Sequence, residues 1–398
     1  MDHPVVSEKS GTGGSAAGPA PQVPSIRVAL VYDMDACRGP TGVTRHALAQ
    51  LERLACRPEI GLSVVSGRVT GPEGRAYWAS LGALPRSELP VRTRDALRWW
   101  RMMPWPPLEI WSGAVDWVYA PAEYDVPTRR ARRAVTSHDV LQDVRQGGPR
   151  RLHRLTRTFR RADLIASVSR FNTERLLETF PDCRGRVAYV PNGAEDLFFE
   201  PATEGERRGV RADLGLPDGL PYLLSVANFQ PRKNLIRLVR AASRLPELAS
   251  GELGLVLLGT GDESEVRALR SAIGAAGPRA VIRMPGYRQA ENLRATYAEA
   301  KALVFPSLCE SFGIPAVEAM AQGTPVALAD STALPEVGGR AGWYFDPEDE
   351  DALTGTLRDL LDRPGERARR AELGRSIAEG YRWQAANDLL VAALMGSS

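Results

Sequence analysis

Two carboxylates eight positions apart are the residues of this chain best placed to do chemistry. Glu310 and Glu318 lie in the stretch V-F-P-S-L-C-E-S-F-G-I-P-A-V-E. The apolar run Ala302 to Phe305 is short enough for a buried strand, and Pro315 stands where a first helical residue is expected. Glu310 should therefore lie in a loop between a strand and a helix, and Glu318 on the helix itself.

The start of that helix predicts an anion site. The backbone N–H groups of Ser311 to Ala316 would point to one spot, with the positive end of the helix behind them. Two carboxylates beside this spot would repel a bare phosphate, so hydroxyl groups are their natural partners. A ligand that carries both phosphate and many hydroxyl groups is a nucleotide sugar.

A pair of cations comes earlier in the chain. Arg232 and Lys233 follow Pro231 and are predicted to open a helix, where cations lie on the unfavourable side of the helix dipole. A bound diphosphate would neutralise them, and fixed cations would stabilise the charge that builds on the leaving oxygens when a sugar–diphosphate bond breaks. The alternative is a solvent-exposed basic turn. Lys233 is one of three lysines among 51 basic residues, which favours a specific role.

Two candidates lie in the first half of the chain. The loop Gly39 to Thr44, G-P-T-G-V-T, follows a first strand, and Gly42 would let a phosphate or acceptor approach the backbone closely. His138, followed by Asp139, ends a later strand and should face a cleft between the two halves of the chain. An ordinary turn and a structural histidine are the alternatives.

The triplet Asp33-Met34-Asp35 resembles the D-x-D of glycosyltransferases that hold a divalent cation on the diphosphate. Because Arg232 and Lys233 already supply positive charge, we expect no metal and no cofactor. Weaker candidates for phosphate or base contact are the loop 259–262 and the pair Gly286 and Tyr287.

Strands alternate with amphipathic helices from residue 26 to residue 190 and again from residue 222 to residue 329. This alternation predicts an α/β protein of two doubly wound, Rossmann-like domains that face each other across a cleft, with ligands at the carboxyl ends of the strands. The predicted boundaries are a disordered tail at 1–24, a first domain at 25–200, a second domain at 201–380, and a last helix at 381–398.

Five motifs occur in a characteristic order: P-N-G (191–193), S-V-A-N-F-Q-P-R-K-N-L (225–235), E-x7-E (310–318), A-x-G-T-P-V (321–326) and L-P-E-V-G-G (334–339). In this order and spacing they resemble the retaining GT-B glycosyltransferases of family 4, the glycosyltransferase group 1 type. The resemblance is strongest from Val190 to about Trp343. Cys309 departs from it, because an aromatic or small polar residue is commoner there.

The resemblance implies roles for the candidates. Glu310 would contact the hydroxyl groups of the donor sugar, Glu318 the nucleotide ribose, and His138 the sugar near its C6 hydroxyl. The leaving phosphate would assist deprotonation of the acceptor, so no protein base is required. The implied catalytic set is His138, Glu310, Arg232 and Lys233. The implied donor-binding set is Gly42, Arg232, Lys233, Glu310, Ser311, Phe312, Gly313, Ile314 and Glu318. In this fold the last helix, 381–394, would cross back onto the first domain.

The expected function is transfer of a hexose from a nucleoside-diphosphate sugar to a glycan or lipid-linked acceptor in cell-surface polysaccharide or glycolipid synthesis. T-S-H-D together with P-R-K-N favours mannosyltransferase-like members that use GDP-mannose. The alternatives are a GT-B sugar-nucleotide epimerase and a non-catalytic GT-B binding module.

A formal net charge of +3 over 398 residues does not indicate a nucleic-acid partner. The four cysteines form no C-x-x-C pair, which favours a cytoplasmic protein. No apolar run approaches the length of a spanning helix. The segment Leu97 to Trp105, L-R-W-W-R-M-M-P-W, mixes aromatic residues with arginine. It indicates either peripheral contact at the inner membrane face or a packed helix with a basic outer face.

Overall fold

The computed structural model describes residues 24–36 and 41–396, except for the side chains of residues 143, 144, 146 and 291. Nearly all of the predicted N-terminal tail and Gly39 lie outside the described residues.

The first domain is built on a parallel sheet of seven strands in the order β3-β2-β1-β4-β5-β6-β7. Its strands are β1 Ile26–Val31, β2 Ile60–Ser66, β3 Arg86–Glu88, β4 Trp117–Ala120, β5 Arg132–Ser137, β6 Leu164–Ser167 and β7 Val187–Tyr189. Its helices are α1 Gly42–Ala55, α2 Pro72–Ser80, α3 Thr93–Met102, α4 Glu109–Ser112, α5 Val140–Arg161 and α6 Arg170–Thr179. The central strands are short apolar runs because both faces of the sheet are covered.

The second domain has a parallel sheet of six strands in the order β10-β9-β8-β11-β12-β13. Its strands are β8 Tyr222–Val226, β9 Gly254–Leu258, β10 Val281–Gly286, β11 Ala302–Phe305, β12 Val326–Ala329 and β13 Trp343–Phe345. Its helices are α7 Glu204–Asp213, α8 Leu235–Ser243, α9 Pro246–Ser250, α10 Glu263–Ala275, α11 Ala290–Glu299, α12 Ile314–Ala321, α13 Leu334–Gly338, α14 Glu350–Asp362 and α15 Pro364–Glu379. These two parallel sheets with their helices confirm the predicted fold class.

The last helix, α16 Trp383–Met395, lies against the first domain. Asn387 donates from Nδ2 to Oε1 of Gln50 at 2.9 Å, and the carbonyl of Leu394 accepts from the Trp117 indole at 2.9 Å. Trp383 is fully buried. The chain therefore returns from the second domain to the first before it ends.

Candidate functional site

A cleft of about 530 Å³ separates the carboxyl ends of the two sheets. All ten predicted site residues line it: Gly42, His138, Arg232, Lys233, Glu310, Ser311, Phe312, Gly313, Ile314 and Glu318. This meeting follows from the two parallel sheets, because the loops after their strands converge at the carboxyl edges.

The loop between β11 and α12 turns sharply at Gly313, whose φ of 110° is the left-handed conformation that favours glycine. A Cβ atom there would stand 2.7 Å from Cδ2 of Leu334. The predicted anion site is smaller than expected: Ala316 donates its N–H to the carbonyl of Gly313 at 2.9 Å, and Pro315 has no N–H. Among the described residues, the N–H groups of residues 311 to 314 meet no acceptor.

Arg232 and Lys233 open a short 3₁₀ helix after Pro231 rather than the α-helix that the dipole argument assumed. They lie in a 3₁₀ turn, Pro231–Lys233, and α8 begins only at Leu235. Asn234 lies between this turn and α8 in the left-handed conformation (φ 59°). Its side-chain amide donates to the carbonyls of Pro306 and Pro347. This anchoring aims the turn at the loop after β11.

The two cations are already neutralised within the protein. The Lys233 ammonium donates to Oε1 of Glu310, and Nη1 of Arg232 lies 3.6 Å from Oε2 of the same carboxylate. Arg232 also donates to the carbonyl of Cys309 at 3.0 Å. The expected helix-dipole cost is therefore absent, and a diphosphate would meet a group of net charge +1, two cations and one acid.

Burial raises the pKa of Glu310, but the nearby charges of Lys233 and Arg232 outweigh it and hold that pKa below the usual value. For Lys233, burial lowers the pKa, the charge of Glu310 acts against this, and Arg232 adds to the lowering. Each charge is thus maintained mainly by its partner.

Glu318, on α12, meets a residue that the sequence reasoning missed. Arg45, on α1 of the first domain, pairs with Glu318 and with Glu195, donating from Nε to Oε1 of Glu195 at 2.7 Å. The other oxygen of Glu318 accepts from the Tyr297 hydroxyl at 2.8 Å. Arg45 thus joins the two domains across the floor of the cleft.

Burial and the charge of Glu195 raise the pKa of Glu318, while Arg45 lowers it, and the balance is a pKa above the usual value. The Arg45 guanidinium has a raised pKa because Glu318 and Glu195 outweigh the effect of its burial. Burial and Glu318 together raise the pKa of Tyr297. The phenol therefore stays a hydrogen-bond donor to this carboxylate.

The His138 ring is fixed by a hydrogen bond to the backbone of its own domain. Its Nε2 lies 2.9 Å from the carbonyl of Pro121 and must donate to it, so in the neutral ring Nδ1 is the acceptor. The ring of His46 stands edge-on to it at 5.0 Å. His46 is buried between Asn192, 2.9 Å from Nδ1, and Tyr119, 3.1 Å from Nε2. Burial, assisted by His138, lowers the pKa of His46 well below its usual value, so this ring is neutral.

Asp139 caps α5 by accepting from the N–H of Gln142 at 3.1 Å. Burial raises the pKa of Asp139 to about 6, with Arg232 acting against the shift and Glu310 adding to it. Cys309 lies close by and is 2% exposed. Burial and the charge of Asp139 raise the pKa of its thiol. The unexpected cysteine therefore occupies a buried contact between the domains.

Eight charged side chains line the cleft: Arg45, Arg232, Lys233 and Arg288 against Asp139, Glu195, Glu310 and Glu318. Four positive and four negative charges sum to zero when all are ionised. Protonation of Asp139 would change this sum to +1.

Gly42 is the first residue of α1, after the cap Thr41. A Cβ atom on Gly42 would meet Cδ1 of Ile314, across the cleft, at an ordinary 3.6 Å. The protein itself therefore does not require glycine at this position.

Asp35 of the D-x-D triplet has a structural partner. Its carboxylate accepts from the N–H groups of Thr70 and Gly71 and from the Thr70 hydroxyl, at 2.8–3.1 Å, just before α2. Within the part of the chain that the structure describes, no group of three or more histidine, cysteine or acidic side chains is placed to hold a metal ion.

Of the weaker candidates for phosphate or base contact, two lie at the cleft. Gly259 and Tyr287 line the cleft, and Tyr287 is 58% exposed. Gly259 also has a backbone reason to be glycine, because its φ is 140° and a Cβ atom would stand 1.9 Å from the carbonyl of Ala227.

Sequence reasoning missed Arg45, Asn192, Glu195 and His46. Asn192 belongs to the P-N-G motif, and Arg45 and His46 follow Gly42 by three and four positions, so motif neighbours were the available signal. The contacts of Arg45 with Glu195 and of His46 with Asn192 join residues 150 and 146 positions apart, which no local pattern reveals.

Residues 206–377 match the family described as Glycosyl transferases group 1. O-antigen chain mannosyltransferase B of Escherichia coli is 29% identical over 369 residues, which cover 86% of this chain and 93% of that protein. D-inositol 3-phosphate glycosyltransferase of Streptomyces avermitilis is 34% identical over 231 residues, which cover 56% of this chain but only 49% of that relative.

Among solved structures, Anabaena Alr3699/HepE in complex with UDP-glucose shares the fold with a TM-score of 0.74, at 16% identity, over 93% of this chain and 100% of that one. WaaG, a glycosyltransferase involved in lipopolysaccharide biosynthesis, gives a TM-score of 0.67 at 19% identity, over 93% of this chain and 100% of that one. Residues 206–377 therefore form a glycosyltransferase group 1 domain, and the chain has the GT-B fold.

Proposed function

We propose that this protein is a retaining, metal-independent hexosyltransferase. It would transfer a hexose from a nucleoside-diphosphate sugar to a hydroxyl group of a glycan or lipid-linked acceptor. The observation that carries the proposal is the meeting, in one cleft, of the Arg232–Lys233–Glu310 group, the open N–H groups before α12, and Glu318.

Each part of such a donor has a matching group. The diphosphate would accept from the N–H groups of residues 311 to 314 and from the two cations, which need not leave Glu310 because an ammonium has three donors and a guanidinium five. Glu310 would accept from the sugar hydroxyls with its remaining lone pairs. Glu318 would do the same for the ribose. His138 would accept a sugar hydroxyl at Nδ1.

In the transfer step, the acceptor oxygen forms a bond to the anomeric carbon. The bond from that carbon to the diphosphate breaks, and its electron pair stays on the leaving oxygen. The acceptor proton passes to the leaving phosphate. Arg232, Lys233 and the open N–H groups stabilise the charge that develops there. Attack on the face that the diphosphate leaves retains the configuration.

Mannose from GDP-mannose is our first candidate donor, because a mannosyltransferase is similar over nearly its whole length. An acceptor in cell-surface polysaccharide or glycolipid synthesis fits the same relative. We place the reaction on the cytoplasmic side, because Cys56, Cys183 and Cys309 are all free thiols.

A thermal-shift panel of UDP, GDP and ADP sugars in excess chelator tests donor binding. We expect one class to raise the melting temperature, and GDP-mannose to do so most. The selected donor is then incubated with and without acceptor, and the product's anomeric configuration is read by NMR. Failure of every donor to bind would overturn the proposal. Epimer formation without acceptor would identify an epimerase instead, and inversion would overturn the retaining mechanism.

A further inference from the structure

Large apolar side chains are exposed mainly in one region of the molecule. Among the described residues nine are strongly exposed, and six of these lie between residues 91 and 110: Val91, Trp99, Met102, Met103, Trp105 and Ile110. Met102 is 78% exposed and Trp105 is 59% exposed. Such a concentration on one surface indicates an interaction site.

This region is held in place by its own contacts. α3 packs on the first domain through Thr93, Ala96 and Trp100, which are buried. Beyond its end, the Trp99 indole donates to the carbonyl of Trp105 at 2.6 Å. Arg157 of α5 donates to the carbonyls of Trp100 and Arg101, the latter at 2.5 Å. The exposed side chains are thus presented by a fixed backbone.

At 100° per residue, the outward face of α3 divides into two halves. Trp99 and Met102 lie on one half, continued by Met103 and Trp105, while Arg94, Arg98 and Arg101 lie on the other. We call these seven side chains the α3 patch. Asp95 is the one acid among residues 91–105 and pairs with Arg94 and Arg98 at 3.6 and 3.5 Å. With four arginines, at 92, 94, 98 and 101, the segment carries a net charge of +3.

We propose that the α3 patch docks the protein on an anionic lipid bilayer. Tryptophan and methionine would enter the interface between headgroups and acyl chains, while the arginines bind lipid phosphates. The charge excess favours this occupant over a second copy of the chain, since two such patches would repel each other. No helix in the described residues combines the length and apolarity needed to cross a membrane.

The chemistry of lipids also distinguishes this surface from a solvated basic face. Arginines alone would bind any polyanion, whereas Trp99 and Trp105 add apolar area that a lipid interface buries. An acceptor carried by a lipid would be met at such a surface, so the inference extends the proposed function. It does not depend on that function. Its test requires no turnover.

The test is co-sedimentation with vesicles of phosphatidylglycerol and phosphatidylcholine, compared with phosphatidylcholine alone. We expect binding to the anionic vesicles and at least tenfold weaker binding to the neutral ones. Met102→Ser/Trp105→Ser and Arg94→Glu/Arg98→Glu should each weaken binding to the anionic vesicles at least tenfold. Both sets of residues are exposed, so thermal unfolding should be unchanged.

Matched controls come from other surfaces. Leu389→Ser/Met395→Ser removes two exposed apolar side chains of α16, and Arg208→Glu/Arg267→Glu reverses two exposed arginines. Both should bind as the unchanged protein does. Equal binding to neutral vesicles, binding that survives the patch variants, or no binding would each overturn the proposal. So would self-association in light scattering that only the patch variants abolish.

Discussion

The pairing of Lys233 with Glu310 alters what the two motifs mean chemically. Separately, a basic turn and an acidic loop suggest one group for phosphate and another for hydroxyls. In the structure each charge is buried and supported by the other. The pair must therefore be treated as one unit, which a donor joins rather than separates.

Lys233→Ala should abolish transfer and also weaken the fold. Loss of a fixed cation at a developing oxyanion lowers rates by about 100-fold or more. Glu310 would stay buried with only Arg232, 3.6 Å away, and breaking a buried pair costs about 3–5 kcal/mol. Kinetics and urea unfolding measure the two effects.

Two variants make this prediction specific. Lys301→Ala, at an exposed lysine, should change neither measurement. Lys233→Met/Glu310→Gln should regain much of the stability but no activity, because both buried charges are removed. Turnover close to the unchanged protein's in Lys233→Ala would refute its assignment to the donor phosphate.

Asp139 should make donor affinity depend on pH. Its pKa is about 6, and the charges lining the cleft sum to zero above that value and to +1 below it. The dissociation constant for a nucleotide sugar should therefore rise as pH increases through about 6. Asp139→Asn keeps the helix cap and should remove the change near pH 6. Calorimetric titrations from pH 5 to 8 check this, and equal slopes in both proteins would contradict it.

The same residue gives a stability test. A raised pKa in the folded state means that Asp139 favours folding below its unfolded value of 3.8 and loses this effect as pH rises through about 6. The melting temperature of the unchanged protein relative to Asp139→Asn should therefore fall between pH 4 and pH 6.

Among the helices and strands, the repeated strand–loop–helix units were the predictable part. Most strands of both sheets are short apolar runs, so their positions follow from composition and period. The helices α2 and α4 and the strands β3 and β13 were not predicted. β3, for example, is R-S-E with both ends exposed at the sheet edge, and it has no apolar signal. Tertiary pairing alone makes it a strand.

Gly42→Ala tests whether the start of α1 approaches the ligand. The added Cβ would meet only Ile314 at 3.6 Å, so the fold should be unchanged or slightly more stable. A diphosphate lying against this backbone would lose its contact, and donor affinity should fall at least tenfold in a calorimetric titration. Gly355→Ala, in α14 with open space around it, is the matched control. Unchanged affinity would place the diphosphate elsewhere.

For the molecule as a whole, the site is formed by residues of both domains. In the second domain, the charged cleft residues Arg232, Lys233, Glu310 and Glu318 lie in motifs and were named from the sequence, whereas Arg288 was not. Of the residues that meet them from the first domain, Gly42 and His138 were named, but Arg45 was not, because an ordinary helical arginine has no local signature. Only the packing of α1 against α12 shows that this guanidinium reaches Glu318.

Arg45→Gln should therefore affect stability and donor binding together. Without Arg45, Glu318 stays buried beside Glu195, so its pKa rises further and its charged form opposes folding. The loss in melting temperature should be small near pH 4 and grow as pH rises to 8. Donor affinity should fall as the domains separate, and small-angle scattering should show a larger radius of gyration. Arg53→Gln, on the same helix but paired with the partly exposed Asp196, should do neither. A pH-independent loss, or donor affinity equal to the unchanged protein's, would mean that Arg45 does not couple the domains through Glu318.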